Sequence, residues 1–172
     1  DNYGEQRKKI LELLQSMPID VVRHPLREAD DVIGYYALEG DWSRRVVVSS
    51  DTDFIQLINA DERCEVYNPV TKKMRDAPCH DYVGWKALVG DGADNIEGFR
   101  GVGNKTAVKL IQDPKLLSEF LEKKSGHDKY ALNRELIRFE DLQESDIEVS
   151  SGAEDWESLR DAFRDLGFWS MV

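Results

Sequence analysis

The sequence predicts an α/β fold, with a parallel sheet in its amino-terminal part and a helical subdomain behind it. Three observations carry this reading. Strand-sized and helix-sized patterns alternate up to about residue 80, β-branched runs stop there, and Gly, Pro and Ser cut the remainder into helix-length pieces. In chain order, residues 5–17 place Ile10, Leu11, Leu13, Leu14 and Met17 opposite Arg7, Lys8, Lys9 and Glu12, an amphipathic helix ended near Pro18. Ile19–Arg23 reads as a short strand. From Glu28, the residues Ala29, Val32, Ile33, Tyr36 and Ala37 recur at helical spacing, with Gly40 as the stop. Arg44–Ser50 is a buried strand, Asp53–Ile58 a short helix, and Cys64–Tyr67 a strand that turns at Asn68-Pro69 into Thr71–Met74. Segments 81–90, 103–111, 115–124, 127–142 and 154–167 then read as helices.

Composition narrows the function. The 172 residues suit one ordinary domain with a helical annex, and apolar and charged shares of 41% and 33% are globular. No apolar run approaches the roughly 20 residues of a membrane span. The polar start without Met suggests a processed product or a fragment, with no secretory leader. Cys64 and Cys79 lack metal-ligand spacing and read as reduced cytosolic thiols. A net charge of −11 argues, as a total, against nucleic acid. The total misleads if the acids are gathered to hold divalent cations.

Three acidic clusters are gathered in that way. Glu28-Ala29-Asp30-Asp31 opens a helix, where acids also serve as ordinary caps. Ser49-Ser50-Asp51-Thr52-Asp53 follows the Val46-Val47-Val48 strand. The carboxyl ends of parallel strands form the ligand crevice, and Asp51 and Asp53, two apart, can share a metal there. The third cluster holds Asp91 and Asp94 in Gly90–Ile96 and runs into Gly98–Ala107. The latter lacks the spacing of a phosphate-binding P-loop. It reads instead as a glycine-rich helix–turn–helix whose backbone amides meet a nucleic-acid phosphate, with Arg100, Lys105 and Lys109 and no acid from Gly98 to Lys109. A solvated lysine face is the plainer reading of those bases. Seven acids in three clusters repel one another unless cations such as Mg²⁺, about 4 Å apart, relieve them.

Together these residues resemble the flap endonuclease or 5′→3′ exonuclease family of phages and bacteria. The matching motifs are Glu28-Ala29-Asp30-Asp31, Ser49 through Asp53, Gly90 to Ile96 and Gly101 to Ala107, in the family's order, within a resemblance that spans residues 5–170. The resemblance implies a PIN-like parallel-sheet nuclease core over 1–80 and a helical subdomain with a helix–three-turn–helix over 81–172. It implies Mg²⁺-dependent cleavage of 5′-flap, branched or 5′-ended DNA, and of RNA–DNA hybrids, in replication or repair, with Mn²⁺ as a substitute. In family terms Glu28, Asp30, Asp51, Asp53 and Asp94 are catalytic metal ligands, joined at the metals by Asp31 and Asp91. Arg100, Gly101, Gly103, Asn104, Lys105, Thr106 and Lys109 would contact DNA, with K⁺ beside the helix–three-turn–helix. His24, His80 and His127 have no ligand spacing.

The chain departs from the family at its start. Members begin with an Asp-bearing strand and a helical arch that are missing here, so an N-terminal fragment of the same protein is an implied partner. The expected setting is cytoplasmic, in a bacterial or phage-infected cell. Two other classes compete: a DNA-binding module that cannot cut, and a dehalogenase-like or receiver-like phosphotransfer domain, which leaves the glycine-rich basic motif unexplained.

Overall fold

A computed structural model describes residues 2–39 and 42–171. The elements run α1 (Asn2–Leu14), β1 (Asp20–Arg23), α2 (Ala29–Leu38), β2 (Arg45–Val48), α3 (Ile55–Ala60), β3 (Cys64–Asn68), β4 (Lys73–Met74), α4 (Tyr82–Val89), β5 (Gly90–Asp91) and β6 (Ile96–Glu97). They continue through α5 (Asn104–Gln112), α6 (Pro114–Lys124), α7 (His127–Ile137), β7 (Glu148–Ser151) and α8 (Trp156–Asp165). The chain divides into two units, Asp1–Val32 with Gln143–Val172, and Ile33–Leu142. The helix expected from Glu28 is α2; its expected stop, Gly40, lies outside the described residues.

In the first unit, β1 pairs antiparallel with β7, from Asp20 opposite Ser151 to Arg23 opposite Glu148. An ion pair of 2.6 Å joins the side chains of that last pair. Beyond β7, the amides of Gly152, Ala153 and Asp155 donate to Ile19, Gln15 and Ser16 carbonyls at 2.9, 2.8 and 3.1 Å, which fixes the chain against the segment after α1. Asp155 then caps α8 by accepting from the Ser158 amide at 3.0 Å. The expected apolar stripe of α1 is only half-buried at Leu11, Leu13 and Leu14, and Ile10 is exposed.

In the second unit, β2 and β3 are parallel, Arg45 to Val48 against Cys64 to Tyr67, and β3 turns back antiparallel into β4. The alternating burial of β3 sends Cys64, Val66 and Asn68 to one face. There Cys64 and Val66 join Ala37, Phe54 and Leu57 in a core, with Ile33, Val47, Ile58 and Phe139 around it. Gly34 belongs to that contact, since a Cβ on it would lie 2.8 Å from the Phe139 ring. α4 is the hub of the helical part: Leu88 packs with Phe99, Val102, Ala107, Leu110 and Leu121, while Val83 and Ala87 pack with Ile96 and Ile137. Polar bonds staple α7 to α4, β6 and α3. Asn133 donates to the carbonyls of Ala87 and Glu97 at 2.9 and 3.0 Å, and Gln56 donates to that of Ile137 at 3.2 Å.

Two features differ from the sequence reading. α7 ends at Ile137 because Arg138 turns extended and Phe139 folds into the core, so the helix does not reach residue 142. Strands also occur after residue 80: the short β5 and β6, and β7, whose four residues are all exposed and carry no alternation to reveal them.

Candidate metal centre and nucleic-acid interface

The carboxyl end of β2 leads into a chain of local turns. Ser49 Oγ accepts from the Asp51 amide at 3.1 Å, and Asp51 Oδ1 accepts from the Asp53 amide at 2.9 Å. These nested turns spend one oxygen of Asp51 on the backbone and send Asp53 toward α4. A second tight turn delivers the other acids. Gly90 ends α4 at φ +88, a conformation that a side chain would strain, and pairs across β5–β6 with Glu97. Asp91 Oδ1 accepts from the Ala93 amide at 2.8 Å, and Asn95 closes the turn at φ +57, which asparagine tolerates.

These two turns bring Asp53, Asp91 and Asp94 together, with one carboxylate oxygen of each within 4.8 Å of the others. Asp53 and Asp91 are half-buried and Asp94 is exposed. Asp51 stands outside this close group. Glu28, Asp30 and Asp31 open α2 in the first unit, Glu28 exposed and the other two half-buried.

The residue that sequence reasoning missed is Lys86. It is 7% exposed, and its ammonium ion-pairs with both Asp53 and Asp91. Its signal was present: Lys86 is the one charged residue in Tyr82–Val89, at a core-facing position of an otherwise apolar helix. Burial alone would lower its pKa, but hydrogen bonds to Asp53 and Asp91 outweigh burial and raise it. The Lys86 hydrogen bond holds Asp91 below the usual carboxylate range. Asp94 moves the other way, raised by desolvation and then by its neighbours Asp91 and Asp53. Three carboxylates against one ammonium leave an excess of negative charge and free oxygen lone pairs. An all-oxygen donor set of this kind suits a hard divalent cation such as Mg²⁺.

Burial pushes the phenol of Tyr82 up, against a hydrogen bond to the Thr52 side chain that lowers it. Asp81 caps α4 by accepting from the Gly84 amide at 3.1 Å and pairs with Arg134 at 2.5 Å. On the far side of β6, Arg100, Gly101, Gly103, Asn104, Lys105, Thr106 and Lys109 are all exposed. Val102, Ala107 and Leu110 anchor this segment in the core. Among the described residues no side chain caps α5 at Gly103, so its first-turn amides are open to an anion.

The model of the 5′-3′ exonuclease N-terminal resolvase-like domain matches residues 1–84, and that of the 5′-3′ exonuclease C-terminal SAM fold matches residues 77–150. The chain belongs to the 5′-3′ exonuclease family. Its architecture is therefore a resolvase-like, PIN-like α/β part followed by a SAM-like helical part. DNA polymerase I of Bacillus subtilis is 32% identical over 199 residues, covering 98% of this chain and 22% of the polymerase. A 5′-3′ exonuclease of Buchnera aphidicola is 30% identical over 115 residues, covering 62% of this chain and 40% of that protein. The bacteriophage T5 flap endonuclease, solved in complex with DNA and metal ions, shares the fold at a TM-score of 0.53 and 17% identity, over 84% of this chain and 56% of its own. The chain thus spans less than half the length of the curated relatives it matches. Among the described residues, no helix is long and apolar enough to cross a membrane.

Proposed function

We propose that the chain is part of a metal-dependent, structure-specific 5′-nuclease that hydrolyses phosphodiester bonds in DNA. The observation that carries this reading is the convergence of Asp53, Asp91 and Asp94 from two separate turns. Asp53 and Asp91 would hold divalent ions with Asp94 at their open side. Asp51, and the acids Glu28, Asp30 and Asp31 from the sequence motif, are further candidate ligands. Bound Mg²⁺, or Mn²⁺ in its place, supplies charge neutralisation at the phosphodiester and a lowered pKa for water. Lys86 keeps the cluster assembled between turnovers by offsetting part of its repulsion. Residues 1–80 carry the acids of β2 and α2, while 81–172 present the basic segment. There Arg100, Lys105 and Lys109, with the backbone of Gly101, Gly103, Asn104 and Thr106, hold duplex phosphates beside the α5 amides, with K⁺ as a candidate companion ion. The substrates are 5′-flap, branched or 5′-ended DNA and RNA–DNA hybrids. The setting is bacterial or phage replication or repair in the cytoplasm, with an N-terminal fragment of the same protein as a partner.

The test is cleavage of a labelled 5′-flap duplex in Mg²⁺, with EDTA, Asp53→Asn and Asp91→Asn as controls. Metal-dependent cutting that falls to background in both variants supports the reading. Salt-sensitive DNA binding without cutting would reduce the chain to a binding module.

A further inference from the structure

The β3–β4 hairpin combines local positive charge with rigid attachment to the acid-bearing loop. From Asn68 to Arg75 the sequence holds three bases, Lys72, Lys73 and Arg75, and no acid, in a chain of net charge −11. Asn68 is buried at its base, and its Oδ1 accepts from the Val70 and Thr71 amides at 2.9 and 3.0 Å, which locks the turn. Lys72 sits at φ +56 at the turn, and Lys73 pairs with Asn68. Both lysines are exposed, and among the described residues neither ammonium is ion-paired. Arg75 makes the attachment. Its amide donates to the Val66 carbonyl at 2.8 Å, and its guanidinium Nη2 reaches across to the Ser50 carbonyl at 2.8 Å, beside Asp51.

The strand order β2-β3-β4 sets the scale. Two inter-strand spacings of ~4.8 Å put β4 about 10 Å from β2, roughly three phosphates along one DNA strand at ~3.4 Å of axis each. Two ordinary surface lysines would float independently of the acids; these two are tied to the acid loop through Arg75. We propose that the hairpin is a second phosphate-contact surface, in which Lys72 and Lys73 hold the DNA backbone near the cut and Arg75 fixes them in register with Asp51 and Asp53. This inference rests on the nuclease reading above and adds a contact on the α/β side, separate from the basic segment before α5.

The experiment compares the wild-type chain with Lys72→Asn/Lys73→Gln, asparagine being chosen because it accepts the left-handed backbone at position 72. Lys123→Gln/Lys124→Gln, two exposed lysines in the last turn of α6, gives the same change in net charge elsewhere. Binding of 5′-flap DNA is measured against salt in Ca²⁺, with cleavage in Mg²⁺ followed alongside. At about 0.9 per phosphate lost, the hairpin variant is expected to flatten the log–log salt slope by roughly 1.5 to 2. The α6 variant is expected to keep the wild-type slope. Equal slopes for the wild type and the hairpin variant, while the wild type still cuts, overturn the hairpin alone, as does an equal change in both variants. A wild-type chain with no salt-dependent binding and no cutting overturns the nuclease reading and the hairpin's role with it.

Discussion

Two ion clusters in the second unit use the same kinds of group and reach opposite ends. Around Asp61, two guanidiniums meet one carboxylate: Arg45 at 2.9 Å and Arg63 at 2.8 Å. Arg45 is 8% exposed and also donates to the Ala37 carbonyl, tying β2 to α2. Hydrogen bonds from Arg63, with Arg45 adding its charge, hold Asp61 well below the usual carboxylate range. Around Lys86 the ratio is inverted, with three carboxylates to one ammonium, and Asp94 is raised. The first cluster ties β2 and α2 to the Asp61 turn and acts as a brace, although the buried Arg45 Nε finds no hydrogen-bond partner among the described residues. The second keeps a net negative charge and, on the function proposed above, has room for a further cation. Both clusters carry surplus charge; the sign of the surplus, negative around Lys86 and positive around Asp61, decides which of them suits a further cation.

Mutation can break each half of this contrast. The largest effect is expected for Lys86→Met, which leaves Asp53 and Asp91 half-buried with no counter-charge and costs about 3 kcal/mol in metal-free buffer. Mg²⁺ should restore part of that loss, so its addition raises the melting temperature of the variant more than that of the wild type. Equal Mg²⁺ shifts in calorimetry would contradict it. Arg45→Met strands the buried Ala37 carbonyl and should cost about 2 kcal/mol, read from urea unfolding, with no rescue by Mg²⁺.

The acids sharpen the comparison through pH. Asp61 titrates below its unfolded value, so its contribution is complete above the ordinary aspartate pKa of about 3.9 and fades as pH falls through the folded value. Asp61→Asn should therefore be less stable than the wild type at pH 7, with the gap beginning to narrow in urea titrations taken to pH 3. Asp94 has the opposite sign. Because its folded pKa is raised, the unfavourable contribution stands at neutral pH and is relieved as pH falls toward the ordinary carboxylate range. Asp94→Asn should give the smallest change, a slight rise in metal-free melting temperature at pH 7. That rise should be absent near pH 4, and the Mg²⁺-induced shift should be diminished. A drop in metal-free stability would refute the repulsion.

Much of this was legible from residue patterns. The helix stripes, the turn at Asn68-Pro69 and the acidic motifs are local, and local spacing survives folding. Pairing at a distance was not legible. β7 joins β1 across more than a hundred residues with no hydrophobic alternation to announce it, and nothing in Glu148–Ser151 names its partner. The motifs supplied seven acids but not their grouping. The structure closes Asp53 on Asp91 and Asp94 through two turns, while Asp51 gives one oxygen to the backbone. Lys86 escaped because a lysine within an apolar helix looks like an exception to the pattern until its two partners, 33 residues before it and five after it, are placed beside it.

Gly34 has a bearing on how this sequence can drift. It lies on α2 under the ring of Phe139, and the Phe139 amide in turn donates to Gln56 Oε1 at 3.2 Å. Even an alanine there must push the ring, and through the ring a segment more than a hundred positions away. In a library of single substitutions position 34 should therefore be as intolerant as an acid of the motif, though it touches no substrate. Selection on this chain would then preserve a residue for the space it leaves empty.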